Sequence, residues 1–273
     1  MTTYLQETVM TELTLNPVSR HEVSAAEWEA RIDLAASHHF ADRNGFSQGI
    51  YNHLTLAVPD EPAFLLLPFG LHWSEATAGV FLKVGYDGRL LAGGGQIQRS
   101  AYCIHAPIHA FATQHAAVFH THMPYASAIA RLADQRLLIT GQAEALLSDD
   151  IAYDNDYQAL AREPAEGERL AELLQLKSIL FMANHGVVVT GATAAEAWDR
   201  LYALEYACQV QLYARWTGEP LRELTPALRE KVRHQITRTP LHDGRTGAYQ
   251  PGHVLHFNAL KRLLDRDGVV YRD

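Results

Sequence analysis

Two short runs, AAVFHTH (116–122) and SILFMANHG (178–186), are apolar at nearly every position before they reach histidine. Strands of that kind are buried on both faces, which places them inside a sheet covered by other elements. The remaining patterns supply the cover and the neighbours. Ser24 with Glu27 three residues later forms a capping box for a helix over about 24–41, with Trp28, Ile32, Leu34 and Ala35 on one stripe. Thr193 with Glu196 opens a second helix, 193–217, in the same way. Helical patterning also covers Ser100 to about Gln114 and Pro124 through Leu132, and weaker helices are expected near 225–236 and 257–265, around a loop rich in Gly and Pro. Between the helices, NHLTLAVP (52–59) and FLLLPF (64–69) read as strands, and VFLKVGYDGRLLAGG (80–94) as two strands joined at Asp87-Gly88. Hairpin-paired strands interleaved with helices predict an α/β fold, a three-layer α/β/α domain around a mainly antiparallel sheet. Residues 1–22 form a polar N-terminal arm, 23–218 the domain and 219–273 a helical and loop extension.

The charge balance narrows the partners. Lys and Arg number 23 against 31 Asp and Glu, a formal charge of −8, so the general attraction to phosphate backbones that nucleic-acid binding needs is absent. The only cysteines, Cys103 and Cys208, lie in apolar stretches, and are expected as buried thiols in a reducing compartment. The first 22 residues lack a basic segment followed by an apolar run, and no stretch has the length to span a bilayer, which predicts a cytoplasmic protein without a membrane partner. Gly93-Gly94-Gly95 lacks both the Lys-Ser/Thr of a phosphate loop and a GxGxxG spacing, which argues against nucleotide binding. No GxSxG elbow marks an acyl-transfer hydrolase. Fifteen histidines are the one compositional hint of metal or proton chemistry.

His120 and His122, at i and i+2 of a strand, project from one face and can reach one ion. Zinc binds neutral imidazole nitrogen, and a catalytic zinc uses three protein ligands with one position left open. His185 is the favoured third ligand, because it ends the other buried run and precedes Gly186, where the backbone can turn and approach closely. His105 and His109, spaced i, i+4, are an alternative pair, but no Glu follows the first, and Pro107 between them is expected to disturb the helix. Glu205 shares a helical stripe with Trp198, Leu201, Cys208 and Leu212, so it is a partly buried acid that needs a partner, structural or catalytic.

The segments FHTHMPYASAIA (119–130) and ANHGVVVTGATAAEAWDRLYALEYACQ (183–209) resemble the class II aldolase and adducin family, and the likeness runs from about Ala25 to Gln211. The ending ALKRLLDRDGVVYRD is similar to the tail of its bacterial adducin-like branch. The resemblance implies a class II aldolase-like domain, a homo-oligomer, usually a tetramer with sites at subunit interfaces, and a divalent metal, zinc, held by His120, His122 and His185. It also implies a small-molecule, sugar-like substrate whose carbonyl the metal polarises while a carboxylate moves protons. That carboxylate lies 19 residues before the first zinc histidine, where this chain has Ala101. The family's Thr-Pro-Ser-Gly appears as Leu67-Pro68-Phe69-Gly70 and its Ser-Ser pair as Arg99-Ser100, leaving Arg99 and Ser100 as an anion-binding pair. Proton transfer then falls to Tyr125, Glu205, His105 or metal-bound water. The expectation is a zinc-dependent lyase or isomerase for a small hydroxy-carbonyl compound. The alternative is a non-catalytic adducin-like binding or structural module, and contacts with actin or the cytoskeleton are not expected, because the long basic tail associated with them is missing.

Overall fold

A computed structural model describes residues 13–158, 160–238 and 250–273. Its centre is an eight-stranded sheet: β1 (His53–Ala57), β2 (Ala63–Leu66), β3 (Leu82–Gly85), β4 (Leu90–Ala92), β5 (Ala117–Thr121), β6 (Ile151–Asp154), β7 (Ile179–Met182) and β8 (Val187–Gly191). The strands lie in the order β4-β3-β2-β1-β5-β8-β7-β6. Every neighbouring pair is antiparallel except β6 with β7.

The period of two in each strand sorts its side chains onto two helical layers. Leu54, Leu56, Leu65, Phe119, Phe181 and Val189 face one layer, where they join the core of α1 (Ala25–Arg43), α3 (Pro124–Ile129) and α6 (Ala194–Arg215). Val118, Leu180 and Val188 face the other, covered by α2 (Arg99–Phe111) and α5 (Pro164–Leu174). The expected three-layer architecture with a mainly antiparallel sheet is therefore present. Two short helices, α4 (Gln142–Leu147) and α7 (Pro226–Arg238), pack on each other, and α8 (Gly252–Arg266) lies against α6. Phe257 and Leu264 of α8, with Tyr271 beyond it, are buried in the first core, so the C-terminal segment is part of the same packing. Residues 1–12 and 239–249, which include most of the expected N-terminal arm and much of the Gly/Pro loop, fall outside the described residues.

Several local expectations change in the folded chain. The Ser24 hydroxyl accepts from Glu27 N at 3.1 Å, but the Glu27 carboxylate goes to Arg31 (2.9 Å) and Lys83 (3.0 Å) rather than back to the cap. Burial of Arg31 demands that counter-charge more strongly than the cap does. The run 178–186 is a strand only to Met182, and residues 183–186 form the turn of a β7–β8 hairpin with Asn184 at φ 57°, a left-handed position that Asn tolerates. The helix at 257–265 is longer, starting at Gly252. Residues 133–177, to which the sequence reading assigns no element, hold α4, β6 and α5.

Pro107 does not break α2, which continues through it to Phe111. Lacking an N–H, Pro107 leaves the Cys103 carbonyl without its helical donor. Gly167 of α5 lies directly over that carbonyl, and a Cβ there would collide with the Cys103 oxygen and close on Pro107 Cγ at 2.9 Å. The exposed carbonyl thus sets the distance of the α2–α5 crossing. Gly167→Ala is expected to lower stability by ~3 kcal/mol, the order for an overpacked, backbone-limited contact, read as a fall in the urea midpoint at unchanged m.

His38 in α1 donates from Nδ1 to Leu34 O at 2.8 Å and packs edge-on to Trp73. Complete burial holds its pKa down at about 3, the hydrogen bond to Leu34 only partly opposing this. The unfolded chain binds this proton near pH 6.5, whereas the folded chain refuses it until about 3, so stability is lost as pH falls through that window. Urea unfolding at pH 4, 5 and 6 is expected to show His38→Phe losing ~1.4 kcal/mol per pH unit less than the wild type.

Candidate metal centre

The pairing of β5 with β8 sets Thr121 opposite Val187, so the hairpin turn before Val187 lies at the end of β5. His120 and His122 leave that end, and the turn carries His185 to them. Ring centroids are separated by 5.0 Å (His120–His122), 4.9 Å (His120–His185) and 4.7 Å (His122–His185). One ring nitrogen of each falls within 4.8 Å of the other two. The turn is tied down by Asn184 N donating to Ala130 O at 2.8 Å and by Arg131 Nη1 donating to His185 O at 3.0 Å. Gly186 allows the close approach: a Cβ there would stand 2.5 Å from Thr121 O and 2.8 Å from His122 Cδ2.

The surroundings fix which nitrogens face inward. His120 Nδ1 donates to Val187 O at 3.0 Å, and His122 Nδ1 donates to Gln48 Oε1 at 2.7 Å. In a neutral ring the other nitrogen, Nε2, then carries a bare lone pair. His122 Nε2 is sealed from solvent and has no hydrogen-bond partner. Asn52 Oδ1, held at φ 70°, accepts from His122 N at 3.0 Å and fixes the backbone beneath it. Burial, then the neighbouring His185, pushes the His120 pKa well below its ordinary value, and the same causes bring His122 to about 4. Burial also lowers His185. Three imidazoles whose burial favours the neutral form, two of them turned by outer hydrogen bonds so that Nε2 is left free, fit a divalent cation such as zinc.

The other expected residues sit elsewhere. Ala101 is fully buried in an apolar cluster with Phe64, Leu66, Leu82 and Val84. Glu205 accepts from Tyr125 N (2.9 Å) and Ala126 N (2.8 Å), so its carboxylate caps α3 directly after the His-x-His pair. Burial raises its pKa against those two bonds. Tyr125 shares a 2.7 Å hydroxyl hydrogen bond with Tyr213, which raises the Tyr125 pKa and lowers that of Tyr213. Arg99, exposed, spends its guanidinium on Arg162 O (2.9 Å) and Glu163 (3.3 Å), while Ser100 is half-buried in the first turn of α2. Among the described residues His105 and His109 join no metal-type cluster; both contact Thr55 of β1.

His53, Thr55, Gln48 and Asn52 were not singled out by sequence. The signal was present for two of them: in HLTLA, His53 and Thr55 are the polar positions of an otherwise apolar strand, and both fall on the α2 side. His53 pairs with His120 across the β1–β5 ladder, with ring centroids 5.0 Å apart.

Residues 32–212 match the Class II Aldolase and Adducin N-terminal domain. The chain belongs to the class II aldolase and adducin family. A class 2 aldolase homologue from Caulobacter vibrioides is 34% identical over 218 residues, 79% of this chain and 84% of that one. Mouse alpha-adducin is 32% identical over 255 residues, 89% of this chain but only 34% of its own length. An aldolase II superfamily protein from Pseudomonas syringae superposes with a TM-score of 0.84 at 35% identity, over 94% of this chain and all of that chain. Class II aldolases are typically dependent on a divalent metal, and the trihistidine cluster supplies donors for one. Among the described residues no helix is long and apolar enough to cross a membrane.

Loading is expected to give one zinc per chain and none in His185→Ala, while Gln48→Leu, which frees the His122 ring, weakens zinc by about tenfold or more, read by competition with a chromophoric chelator.

Proposed function

We propose that this protein is a zinc-dependent lyase or isomerase acting on a small hydroxy-carbonyl, sugar-like substrate, with His120, His122 and His185 as the metal ligands. The observation that carries this reading is the donor set: three neutral rings at one end of the sheet, with His122 Nε2 buried and unpartnered. A bound cation there would polarise a substrate carbonyl and stabilise the negative charge developing on its oxygen. Gln48 and the Val187 carbonyl hold two of the rings in register, and Glu205 fixes α3 where the chain leaves His122.

Proton transfer is assigned to Tyr125 together with Tyr213, because their hydroxyls are hydrogen-bonded to each other and reach solvent. Glu205 and His105 act by position rather than by contact, since the carboxylate is engaged by two backbone N–H groups and the imidazole by Thr55 and His53. Ser100, at the start of α2, and Arg99, if it exchanges Glu163 for a ligand, would hold an anionic substrate group. We read the protein as a cytoplasmic homo-oligomer, a tetramer in keeping with its family. The exposed aromatic side chains of Tyr202 and Tyr206 on α6, with Trp216 directly after it, support self-association.

Ala101 favours a second reading, a non-catalytic adducin-like module in which metal only supports structure. Zinc-loaded protein is to be assayed against hydroxy-aldehydes, hydroxy-ketones and keto acids in both directions. Carbon–carbon cleavage or isomerisation that disappears in His185→Ala, with the melting temperature little changed, is the expected result. No turnover of any compound by fully loaded protein would reject the enzyme reading, and a large fall in melting temperature on metal loss would favour the structural one.

A further inference from the structure

Behind the metal centre, between the sheet and α2, runs an unbroken chain of buried polar side chains. His109 Nδ1 contacts His115 O at 2.8 Å, and His109 Nε2 contacts Thr55 Oγ1 at 2.8 Å. Thr55 Oγ1 lies 2.6 Å from His105 Nδ1, and His105 Nε2 lies 2.7 Å from His53 Nδ1. All three imidazoles are 5% exposed or less. His53 lies beside His120 and lines a small cavity with Asn52, Leu67, Pro68, Phe69 and Gln98. Its second nitrogen, Nε2, has no partner among the described residues, and it is not one of the atoms sealed from solvent.

The direction of every bond in this chain follows from its far end. A backbone carbonyl only accepts, so His109 donates from Nδ1. Burial without a counter-charge keeps the ring neutral, which leaves His109 Nε2 as an acceptor. Thr55 has a single hydroxyl proton, and it must go to that acceptor rather than to Val118 O at 3.3 Å. Thr55 Oγ1 is then the acceptor for His105 Nδ1, and the neutral His105 presents a bare Nε2. His53 must therefore donate from Nδ1, and its own Nε2 is left as a lone pair.

We propose that His53 Nε2 is a preset hydrogen-bond acceptor that selects a substrate carrying a hydroxyl beside its metal-bound group, with His105, Thr55 and His109 as positioning residues that lock its polarity. The inference rests on the metal reading above and deepens it. Ala101 and His105 lie one turn apart on the same face of α2, and Ala101 is packed in an apolar cluster with Phe64, Leu66, Leu82 and Val84. The lone pair on His53 Nε2, on a ring 5.0 Å from that of His120, thus rewards an O–H on a ligand that reaches it.

Two measurements test this. In ¹⁵N-histidine-labelled, metal-free protein, His53, His105 and His109 are each expected as neutral tautomers protonated on Nδ1; a proton on His53 Nε2 overturns the proposal. Cobalt(II)-loaded protein is then titrated with glycolohydroxamate and acetohydroxamate, which chelate alike and differ by one hydroxyl. Wild type is expected to prefer the hydroxylated probe by about tenfold, the worth of one hydrogen bond. His53→Phe should keep its cobalt and lose the preference. Thr55→Val should shrink it and Thr55→Ser restore it, a pattern that a merely structural threonine would not give. If His53→Phe does not fold, the Thr55 pair decides. Equal affinity of wild type for both probes, or an undiminished preference in these variants, overturns the inference while leaving the metal centre intact. A shift confined to the pH profile of the cobalt spectrum would mean that Nε2 serves metal-bound water, which also overturns it. Wild type that binds no cobalt fails the metal reading itself, and the hydroxyl assignment with it.

Discussion

The antiparallel pairing of β5 with β8 is the constraint on which the rest depends. It carries five cross-strand partners, from Ala117 with Gly191 to Thr121 with Val187. Because β8 is also hydrogen-bonded to β7, the turn between them cannot drift, and His185 is delivered to the end of β5. Sliding this register by one residue would turn His120 toward the opposite helical layer and exchange the two cores. The apolar side chains flanking His120, Val118 on its own face and Phe119 on the other, therefore hold the site in place through the hydrophobic effect, without touching a ligand.

That placement has a cost elsewhere in the sheet. His53, His105, His109 and His120 are buried between the sheet and α2, where a charged imidazole would be poorly solvated. The chain answers by keeping them neutral and satisfying them with carbonyls, Thr55 and one another. The result is a layer in which tautomers, rather than charges, carry the information. A divalent cation would be the single strong charge near it, and that makes the orientation of each neutral dipole matter more than it would in water.

Much of this was legible in the residues. The period of two put His120 and His122 on one face, the apolar runs announced a covered sheet, and Gly186 signalled a close approach that its geometry now explains through Thr121 O and His122 Cδ2. The hairpin at Asp87-Gly88 follows from turn chemistry, with Gly88 at φ 84°. Other features depend on contacts between distant segments, which local pattern does not encode. Pro107 reads as a helix breaker until Gly167 is seen lying over the carbonyl it frees. Glu205 reads as a buried acid in search of a partner, and the partner proves to be the first turn of α3, 80 residues away. The i, i+4 pair His105 and His109 looks like a helical metal motif, and the pairing with Thr55 is visible only once β1 lies beneath α2. The tract from 133 to 177, to which the sequence reading assigns no element, ends the sheet with β6, an edge strand with a single neighbour.

Ala101 ties these threads together. A carboxylate on that face of α2 would sit one turn from His105 and would draw a proton toward the chain, reversing or breaking the polarity that now runs from the His115 carbonyl to His53. The alanine and the histidine chain are thus mutually consistent, since a row of neutral rings survives in the layer because no fixed negative charge competes for its protons. Alanine at position 101 and the three metal-type donors then describe one coherent site, in which a bound cation would concentrate charge at the end of β5 beside a wall that is neutral but directional. In such a layer the direction of each hydrogen bond, rather than charge, distinguishes one side of the wall from the other, whereas the Tyr125 and Tyr213 hydroxyls are bonded to each other at the surface.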